Sequence, residues 1–236
     1  MTYNEVQSIM VLGDSVSKGV VYSAEKERYI FSKEGFIKRL AQKLRPEVFD
    51  FSKYGSTTEY GKKLIDEKFH ELAPDLVLIE YGSNDCDFNW DDVAADPLKD
   101  HQPKLPLGKY VENVLGMIST VRQNGKIPIL TNLHPLSSHN YFNWFTRNDP
   151  DRQAQTLVWL KDIGHIYWWQ EMYSYAVEKA ARAMDVFVVN IRNLFLRQKD
   201  YKQYLCEDGI HPNEEGHSLM ESFIMDTISH RAPGLL

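Results

Sequence analysis

The stretch Ile9-Met10-Val11-Leu12-Gly13-Asp14-Ser15-Val16 begins with four apolar residues, which are followed by a glycine and two polar residues. Four apolar residues followed by a turn are typical of a buried strand. A turn at that point holds the Ser15 hydroxyl at the edge of a sheet, which suits a nucleophile. A helix N-cap serine or a glycine loop for phosphate would also fit this stretch taken alone.

Similar apolar runs recur along the chain and alternate with helical stripes. The runs cover residues 48–51, 76–79, 127–130 and 186–189, and the stripes cover 36–44, 111–118, 169–180 and 219–228. Pro128 is tolerable only near the start of its strand. Trp168 and Trp169 begin the third stripe and are expected in the core. This alternation predicts one α/β domain over residues 1–236, with parallel strands and helices on both faces of the sheet.

The composition limits the class of protein. The 236 residues are 43% hydrophobic and carry a net charge of −6, which is typical of a globular chain. No basic face is available to meet phosphates, so a nucleic-acid partner is not expected. Two cysteines make no disulfide framework. No apolar run approaches a membrane span, and the polar residues 1–7 lack a signal-peptide pattern, so we expect a cytoplasmic protein.

Two segments interrupt the strand–helix rhythm. Residues 86–108 have a loop-like composition, and residues 133–163 are longer than a connection requires. The second is an aromatic insertion with a short helix predicted at 151–160. Its rings are Tyr141, Phe142, Trp144 and Phe145. Both segments follow the carboxyl ends of strands, where open parallel sheets bind ligands. The rings would either cover a substrate as a lid or bury a small core of the insertion itself.

Four more strand-end or turn residues are candidates for chemistry. Gly55 follows the second strand and would let its backbone N–H approach a ligand closely. Asn84 follows the third strand and can donate two hydrogen bonds. Asp208 stands three residues before His211, a spacing that lets a carboxylate orient an imidazole. Taken singly, each also fits an ordinary turn, an Asx-turn or a solvated surface loop.

Together these blocks resemble the SGNH hydrolase superfamily, the GDSL-type lipases and esterases. The blocks are Gly13-Asp14-Ser15-Val16, Gly55, Gly82-Ser83-Asn84-Asp85 and Asp208-Gly209-Ile210-His211-Pro212. Val16 replaces the usual Leu, Asp50 and Ser52 occupy the region where an Asn usually precedes the glycine, and Cys86 directly follows the third block. The resemblance implies a flavodoxin-like three-layer α/β/α sandwich with a five-stranded parallel sheet in the order 2-1-3-4-5.

The resemblance also implies roles for these residues. Ser15 would be the nucleophile, His211 the base and Asp208 the carboxylate that orients it. The oxyanion hole would comprise the backbone N–H groups of Ser15 and Gly55 and the side-chain amide of Asn84. The expected activity is hydrolysis of a carboxylic ester, with a small acyl or acetyl group, through an acyl-enzyme. The expected substrate contacts are Asp14, His134, Tyr141, Trp144 and Phe145.

Several alternatives stay open from the sequence. An acyltransferase or a thioesterase would use the same triad, and an idle relative would only bind ligands. A nucleotide-binding module would use residues 13–19 as a phosphate loop and Asp50 on a ribose, although no Gly-x-Gly-x-x-Gly occurs. His134, His139 and His165 lack the carboxylate or cysteine spacing of a metal site, so no metal or cofactor is expected. The sequence leaves the oligomeric state open.

Overall fold

The computed structural model describes residues 3–236, so Met1 and Thr2, the start of the polar N-terminus, lie outside it. Its centre is a parallel sheet of five strands, and a separate antiparallel pair forms a hairpin. In chain order the strands are β1 (Ser8–Gly13), β2 (Val20–Ser23), β3 (Arg28–Phe31), β4 (Glu47–Asp50), β5 (Leu76–Glu80), β6 (Ile127–Thr131) and β7 (Phe187–Val189). The hairpin consists of β2 and β3 and has no counterpart in the predicted strands.

The strand order of the large sheet is β4-β1-β5-β6-β7. Counting only the strands of this sheet, that is the predicted order 2-1-3-4-5. Met10 at the centre of β1 pairs with Phe49 of β4 on one side and with Val77 of β5 on the other. After β1 the chain adds β4 on one side of it and then β5 on the other side, so the strand order reverses at the junction of β1 and β5. This junction is the topological switch point, where open α/β sheets bind ligands.

Helices cover both faces of the sheet, which confirms the three-layer architecture. The helices are α1 (Phe36–Ala41), α2 (Thr58–Leu72), α3 (Trp90–Ala95), α4 (Leu107–Gln123), α5 (Ser138–Phe145), α6 (Pro150–Leu160), α7 (Gly164–Ala183), α8 (Ile191–Leu196) and α9 (Glu214–Arg231). Successive side chains of a strand point to opposite faces. Met10 and Leu12 therefore pack with α2, α4 and α7, whereas Ile9 and Val11 pack with α1, α8 and α9.

The two irregular segments form a third, smaller core beside the sheet. The insertion at 133–163 contains α5 and α6, and α6 corresponds to the helix predicted at 151–160. The loop-like segment at 86–108 contains α3. Buried Phe88, Trp90 and Phe142 join these pieces. The prediction for Trp168 is wrong, because the first turn of α7 leaves this side chain 60% exposed.

No helix within residues 3–236 is both long enough and apolar enough to cross a lipid bilayer.

His217 on α9 provides a test of how the core responds to acid. Its ring is buried and lies parallel to the ring of Phe36 on α1, with the centroids 6.0 Å apart. Burial lowers the pKa of His217 to about 3. Below pH 6.5 the His217 side chain therefore binds a proton in the unfolded chain but not in the folded chain, and the free energy of unfolding decreases as the pH falls. Near pH 5 this loss amounts to roughly 2 kcal/mol for one histidine.

We expect His217→Leu to reduce the acid sensitivity of folding. Between pH 7 and pH 5 the variant should lose about 2 kcal/mol less free energy of unfolding than the wild type. Urea unfolding at the two pH values measures this difference, and comparison within each protein removes the effect of the substitution itself. Equal losses in both proteins would mean that His217 accepts its proton in the folded state.

Candidate active site

The turn after β1 fixes the backbone around Ser15. The Val20 N–H donates to the Ser15 carbonyl at 2.9 Å, and the Lys18 N–H donates to the Asp14 carbonyl at 3.1 Å. The Asp14 carboxylate accepts from the Val16 N–H at 2.8 Å. Ser15 thus leaves the carboxyl end of β1 in a tightly bonded turn, and its hydroxyl lies at the switch point between β1 and β5.

The loop after the 3₁₀ turn Tyr201–Tyr204 carries Asp208 and His211. The Cys206 N–H donates to the His211 carbonyl at 2.7 Å, which closes the loop. Gly209 has φ +73°, a left-handed conformation that favours glycine, and an added Cβ would lie 2.8 Å from the Ser137 carbonyl oxygen. The glycine in this block is therefore required both by the turn and by the approach of α5.

Ser15, His211 and Asp208 form a continuous chain of hydrogen bonds. His211 Nε2 lies 2.9 Å from Ser15 Oγ, and His211 Nδ1 lies 2.6 Å from Asp208 Oδ2. All three side chains are buried. Burial would raise the pKa of Asp208, but the hydrogen bond and charge of His211, with two backbone N–H groups, hold that pKa below its usual value. An ionised Asp208 fixes the tautomer in which Nε2 can accept the Ser15 proton.

Three hydrogen-bond donors surround the space beside Ser15. Asn84 follows β5 and donates one amide hydrogen to Asp14 Oδ2 at 3.2 Å, which leaves its second hydrogen for a ligand. Gly55 follows β4 with φ +73° and lines the same cavity. No hydrogen bond within residues 3–236 uses the backbone N–H of Ser15 or Gly55. Both groups are therefore available to an oxyanion.

Asp85, next to Asn84, connects the loop after β5 to α2 through hydrogen bonds. Its Oδ1 atom accepts from the Thr58 hydroxyl at 2.6 Å and from the Thr58 N–H at 3.0 Å. Thr58 is the first residue of α2, so the carboxyl group bonds an N–H that the helix leaves free. Burial raises the pKa of Asp85 to about 6. The contact fixes the Asn84 loop relative to the Gly55 turn that precedes the helix.

A buried pair of carboxyl groups lies under the nucleophile. Glu80, at the end of β5, accepts from the Ser17 hydroxyl at 2.8 Å. Burial raises the pKa of Asp14 to about 6, and the hydrogen bonds from Val16, Glu80 and Asn84 oppose that rise. Burial, followed by the charge of Asp14, raises the pKa of Glu80 well above its usual value. A proton shared by this pair would leave Asp14 able to accept from Asn84.

A cavity of about 480 Å³ opens above these groups. Tyr141, Trp144 and Phe145 of α5 line it, as do Ser15 and His211. The rings of Trp144 and Phe145 remain partly exposed. Phe145 stacks on Trp90 of α3 with the ring centroids 4.2 Å apart. Phe142 is thus buried in the small core, whereas Trp144 lines the cavity, and the role of the rings as a lid stays a prediction.

Two predicted substrate contacts require correction. Asp14 is fully buried and does not line the cavity, because its oxygens bond the Ser15 turn and Asn84. His134 is also buried, with Nε2 2.6 Å from the Ile210 carbonyl oxygen. Burial lowers the pKa of His134 to about 4, so this ring stays neutral at pH 7. Both residues support the site from beneath the cavity floor.

The contacts also bear on Asp50, on the two cysteines and on a metal site. Asp50, which a nucleotide-binding module would place on a ribose, pairs with Lys18 at 3.6 Å. The thiols of Cys86 and Cys206 are buried, and burial raises the pKa of Cys206 to about 12, which makes it a poor nucleophile. In the described part of the chain, no group of three His, Cys, Asp or Glu residues could hold a metal ion.

The β2–β3 hairpin contributes residues to the site that the sequence did not predict. Tyr29 on β3 donates from its hydroxyl to Asp208 Oδ2 at 2.9 Å. The ring of Tyr54, next to Gly55, lies parallel to the ring of His211 with the centroids 6.2 Å apart. The available signal for the hairpin was a pair of short apolar runs on either side of the polar residues 24–28.

Comparison with known proteins identifies the family. The model of the GDSL-like Lipase/Acylhydrolase family matches residues 11–219. The comparison with curated proteins found no match.

Solved structures share the fold. A lipase/acylhydrolase from Enterococcus faecalis is 19% identical, with a TM-score of 0.66 over 95% of this chain and 96% of that one. An acetylxylan esterase from Geobacillus stearothermophilus, solved as a catalytic mutant, is 18% identical with a TM-score of 0.62 over 94% of each chain. A psychrotrophic esterase from Pseudoalteromonas sp., inhibited by monoethylphosphonate, is 17% identical with a TM-score of 0.59 over 95% and 97%.

The family match covers most of the chain, including Ser15, Asn84 and His211. The protein therefore belongs to the GDSL-like lipase/acylhydrolase family and is a GDSL-type carboxylic ester hydrolase.

Proposed function

We propose that the protein is a serine hydrolase that cleaves an ester through an acyl-enzyme formed on Ser15. The observation that carries this proposal is the chain of hydrogen bonds from Ser15 Oγ through His211 to Asp208, at the floor of an open cavity. A nucleophile, a base and an orienting carboxylate in that geometry are what acyl transfer to a hydroxyl requires.

The reaction follows in two halves. Ser15 Oγ bonds to the ester carbonyl carbon while His211 Nε2 takes the hydroxyl proton, and Asp208 stabilises the resulting imidazolium. The carbon–oxygen bond to the alcohol then breaks, and His211 gives its proton to the departing alcohol. A water molecule then attacks the acyl-enzyme while His211 takes its proton. The bond between the acyl carbon and Ser15 Oγ breaks, His211 returns the proton to Ser15 Oγ, and the acid leaves.

The negative charge on the carbonyl oxygen needs donors that are already in position. The Asn84 amide and the backbone N–H groups of Ser15 and Gly55 supply them in this proposal. Asp14 supports the arrangement because it accepts one Asn84 hydrogen and so directs the other toward the cavity. The carboxyl groups of Asp14 and Glu80 would then act through position, without touching the substrate.

The substrate in this proposal is an ester with a small acyl group, such as acetate. The cavity of about 480 Å³ fits a small molecule, and aromatic rings occupy much of its wall near Ser15. Trp144 packs against Tyr22 of the hairpin at a centroid distance of 4.6 Å, which narrows the space above the triad. The likeness to an acetylxylan esterase supports an acetyl ester on a bulkier alcohol.

A panel of substrates tests the proposed activity. It contains p-nitrophenyl esters of acetate, butyrate, hexanoate and octanoate, acetylated xylooligosaccharides, and an acetyl thioester, each with and without an acceptor alcohol. We expect hydrolysis with the highest kcat/KM for short acyl esters. Preference for the thioester would indicate a thioesterase, and transfer to the alcohol in place of hydrolysis would indicate an acyltransferase. Failure on every substrate would contradict the proposal.

The rings of α5 should limit the length of the acyl chain. Replacing Trp144 and Phe145 with Ala removes two partly exposed rings from the cavity wall. We expect the ratio of kcat/KM for hexanoate to that for acetate to rise about tenfold. Trp168→Ala is the matched control, because this exposed tryptophan on α7 does not line the cavity. An unchanged ratio together with a lower melting temperature would mean that the rings serve only the small core.

We also propose a reducing compartment, such as the cytoplasm. The two cysteines are buried thiols, one in the Asn84 loop and one in the Asp208 loop, and neither forms a disulfide. Fractionation of cells that express the tagged protein tests this proposal.

A further inference from the structure

The β2–β3 hairpin is bonded to the segment that carries Asp208 and His211. The Tyr22 N–H donates to Cys206 Sγ at 3.4 Å, and the Tyr29 hydroxyl donates to Asp208 Oδ2 at 2.9 Å. Just beyond β3, the Ser32 hydroxyl donates to Glu214 Oε1 at 2.7 Å. Since about 180 residues separate the two segments in sequence, these contacts bring a distant part of the chain to the triad.

The carboxyl group of Asp208 receives four hydrogen bonds. Oδ1 accepts from the backbone N–H groups of Ile210 at 3.0 Å and of His211 at 3.1 Å. Oδ2 accepts from His211 Nδ1 at 2.6 Å and from the Tyr29 hydroxyl at 2.9 Å. A buried carboxylate has about four acceptor positions, so every one of them is used. Tyr29 is the one donor among the four that comes from outside the loop of residues 208–211.

Packing holds the Tyr29 hydroxyl in place. Its ring centroid lies 5.1 Å from that of His211, 5.6 Å from that of Tyr22 and 6.2 Å from that of Trp144. Burial and the charge of Asp208 raise the pKa of Tyr29, so the hydroxyl keeps its proton and remains a donor. Without this donor, the Asp208 carboxylate could rotate so that Oδ2 moves away from His211 Nδ1, or Oδ2 could accept from a water molecule in place of Tyr29.

We propose that Tyr29 is a positioning residue of the triad. Its hydroxyl fixes the plane of the Asp208 carboxylate, which in turn holds the His211 ring with Nε2 directed at Ser15. Tyr29 acts through Asp208 and transfers no proton. This role rests on the proposed serine mechanism, and it makes the hairpin a part of the catalytic apparatus.

Tyr29→Phe is the direct test, because it removes only the hydroxyl and keeps the ring. We expect kcat on p-nitrophenyl acetate to fall about tenfold with KM changed less than twofold. The matched control is Tyr175→Phe, because Tyr175 is exposed on α7 and does not line the cavity. Its kcat should stay within twofold of the wild type. A kcat for Tyr29→Phe within twofold of the wild type would overturn the proposal.

A double variant separates positioning from general stability. In an Asp208→Ala background the hydroxyl has no carboxylate to orient, so adding Tyr29→Phe should change the residual kcat less than twofold. A tenfold drop that persists in this background would overturn the proposal.

A second readout does not depend on turnover. The proton on His211 Nδ1 gives a downfield NMR resonance that reports its hydrogen bond to Asp208. We expect this resonance to shift in Tyr29→Phe and not in Tyr175→Phe, and an unshifted resonance in Tyr29→Phe would overturn the proposal. If turnover by the wild type does not depend on Ser15, that result would instead count against the serine mechanism itself.

Discussion

Ser15→Ala is expected to lower ester hydrolysis by at least about 10⁴-fold while the protein stays folded. The substitution removes the atom that would form the acyl-enzyme, so the remaining machinery has nothing to activate. The change is small, since the Ser15 hydroxyl bonds only His211 among the described residues. Measurement of kcat/KM on p-nitrophenyl acetate, beside thermal melts, gives the result.

Ser23→Ala is the matched control for this experiment. Ser23 lies at the end of β2, and its hydroxyl oxygen accepts from the Lys26 N–H, away from the triad. Activity of the control should equal that of the wild type. Residual activity of Ser15→Ala above a tenth of the wild-type value would rule out Ser15 as the nucleophile.

Asn84→Ala is expected to cost about 10²–10³-fold in kcat, or roughly 3–4 kcal/mol of transition-state stabilisation. In the proposed mechanism the Asn84 amide donates its strongest hydrogen bond once the carbonyl oxygen carries negative charge, so loss of the amide should affect turnover much more than binding. Steady-state kinetics that separate kcat from KM provide the measurement. A change confined to KM would assign Asn84 to substrate binding and exclude it from the oxyanion hole.

The large sheet could be predicted because helices cover both of its faces, so its strands are largely apolar. Such strands appear in sequence as short, continuous apolar runs, and each of the five predicted runs matches a strand of the sheet to within one residue at either end. The hairpin could not be predicted in the same way. Its strands are four residues long and partly exposed, and they pair only with each other, so their pattern is weak.

The site was predictable where its residues lie in short sequence blocks. Ser15, Asn84, Asp208 and His211 each lie within two residues of a glycine in the sequence, and the fold brings them to one sheet edge. The direction of neighbouring side chains was not predictable. Asp14 precedes Ser15 directly, yet its side chain is buried, because its carboxylate accepts from the Val16 N–H of the turn and from the Asn84 amide.

Tyr29 and Glu80 contribute to the site through tertiary contacts, which the spacing of neighbouring residues in the sequence does not reveal. Tyr29 meets Asp208 across 179 positions of sequence. Glu80 ends an apolar strand, and a charged residue at the buried end of such a run indicates a polar contact without identifying its partner. Residues that position catalytic groups are therefore found only once the packing is known.

The central claim is that Ser15 is a nucleophile activated by His211, and covalent labelling tests it most directly. The wild-type protein is incubated with a serine-directed fluorophosphonate, and the intact chain and its peptides are analysed by mass spectrometry. We predict one adduct for each chain, located at Ser15, with parallel loss of esterase activity and no labelling of Ser15→Ala. Labelling at another residue, or full activity in a chain that carries no label after prolonged exposure, would contradict the account.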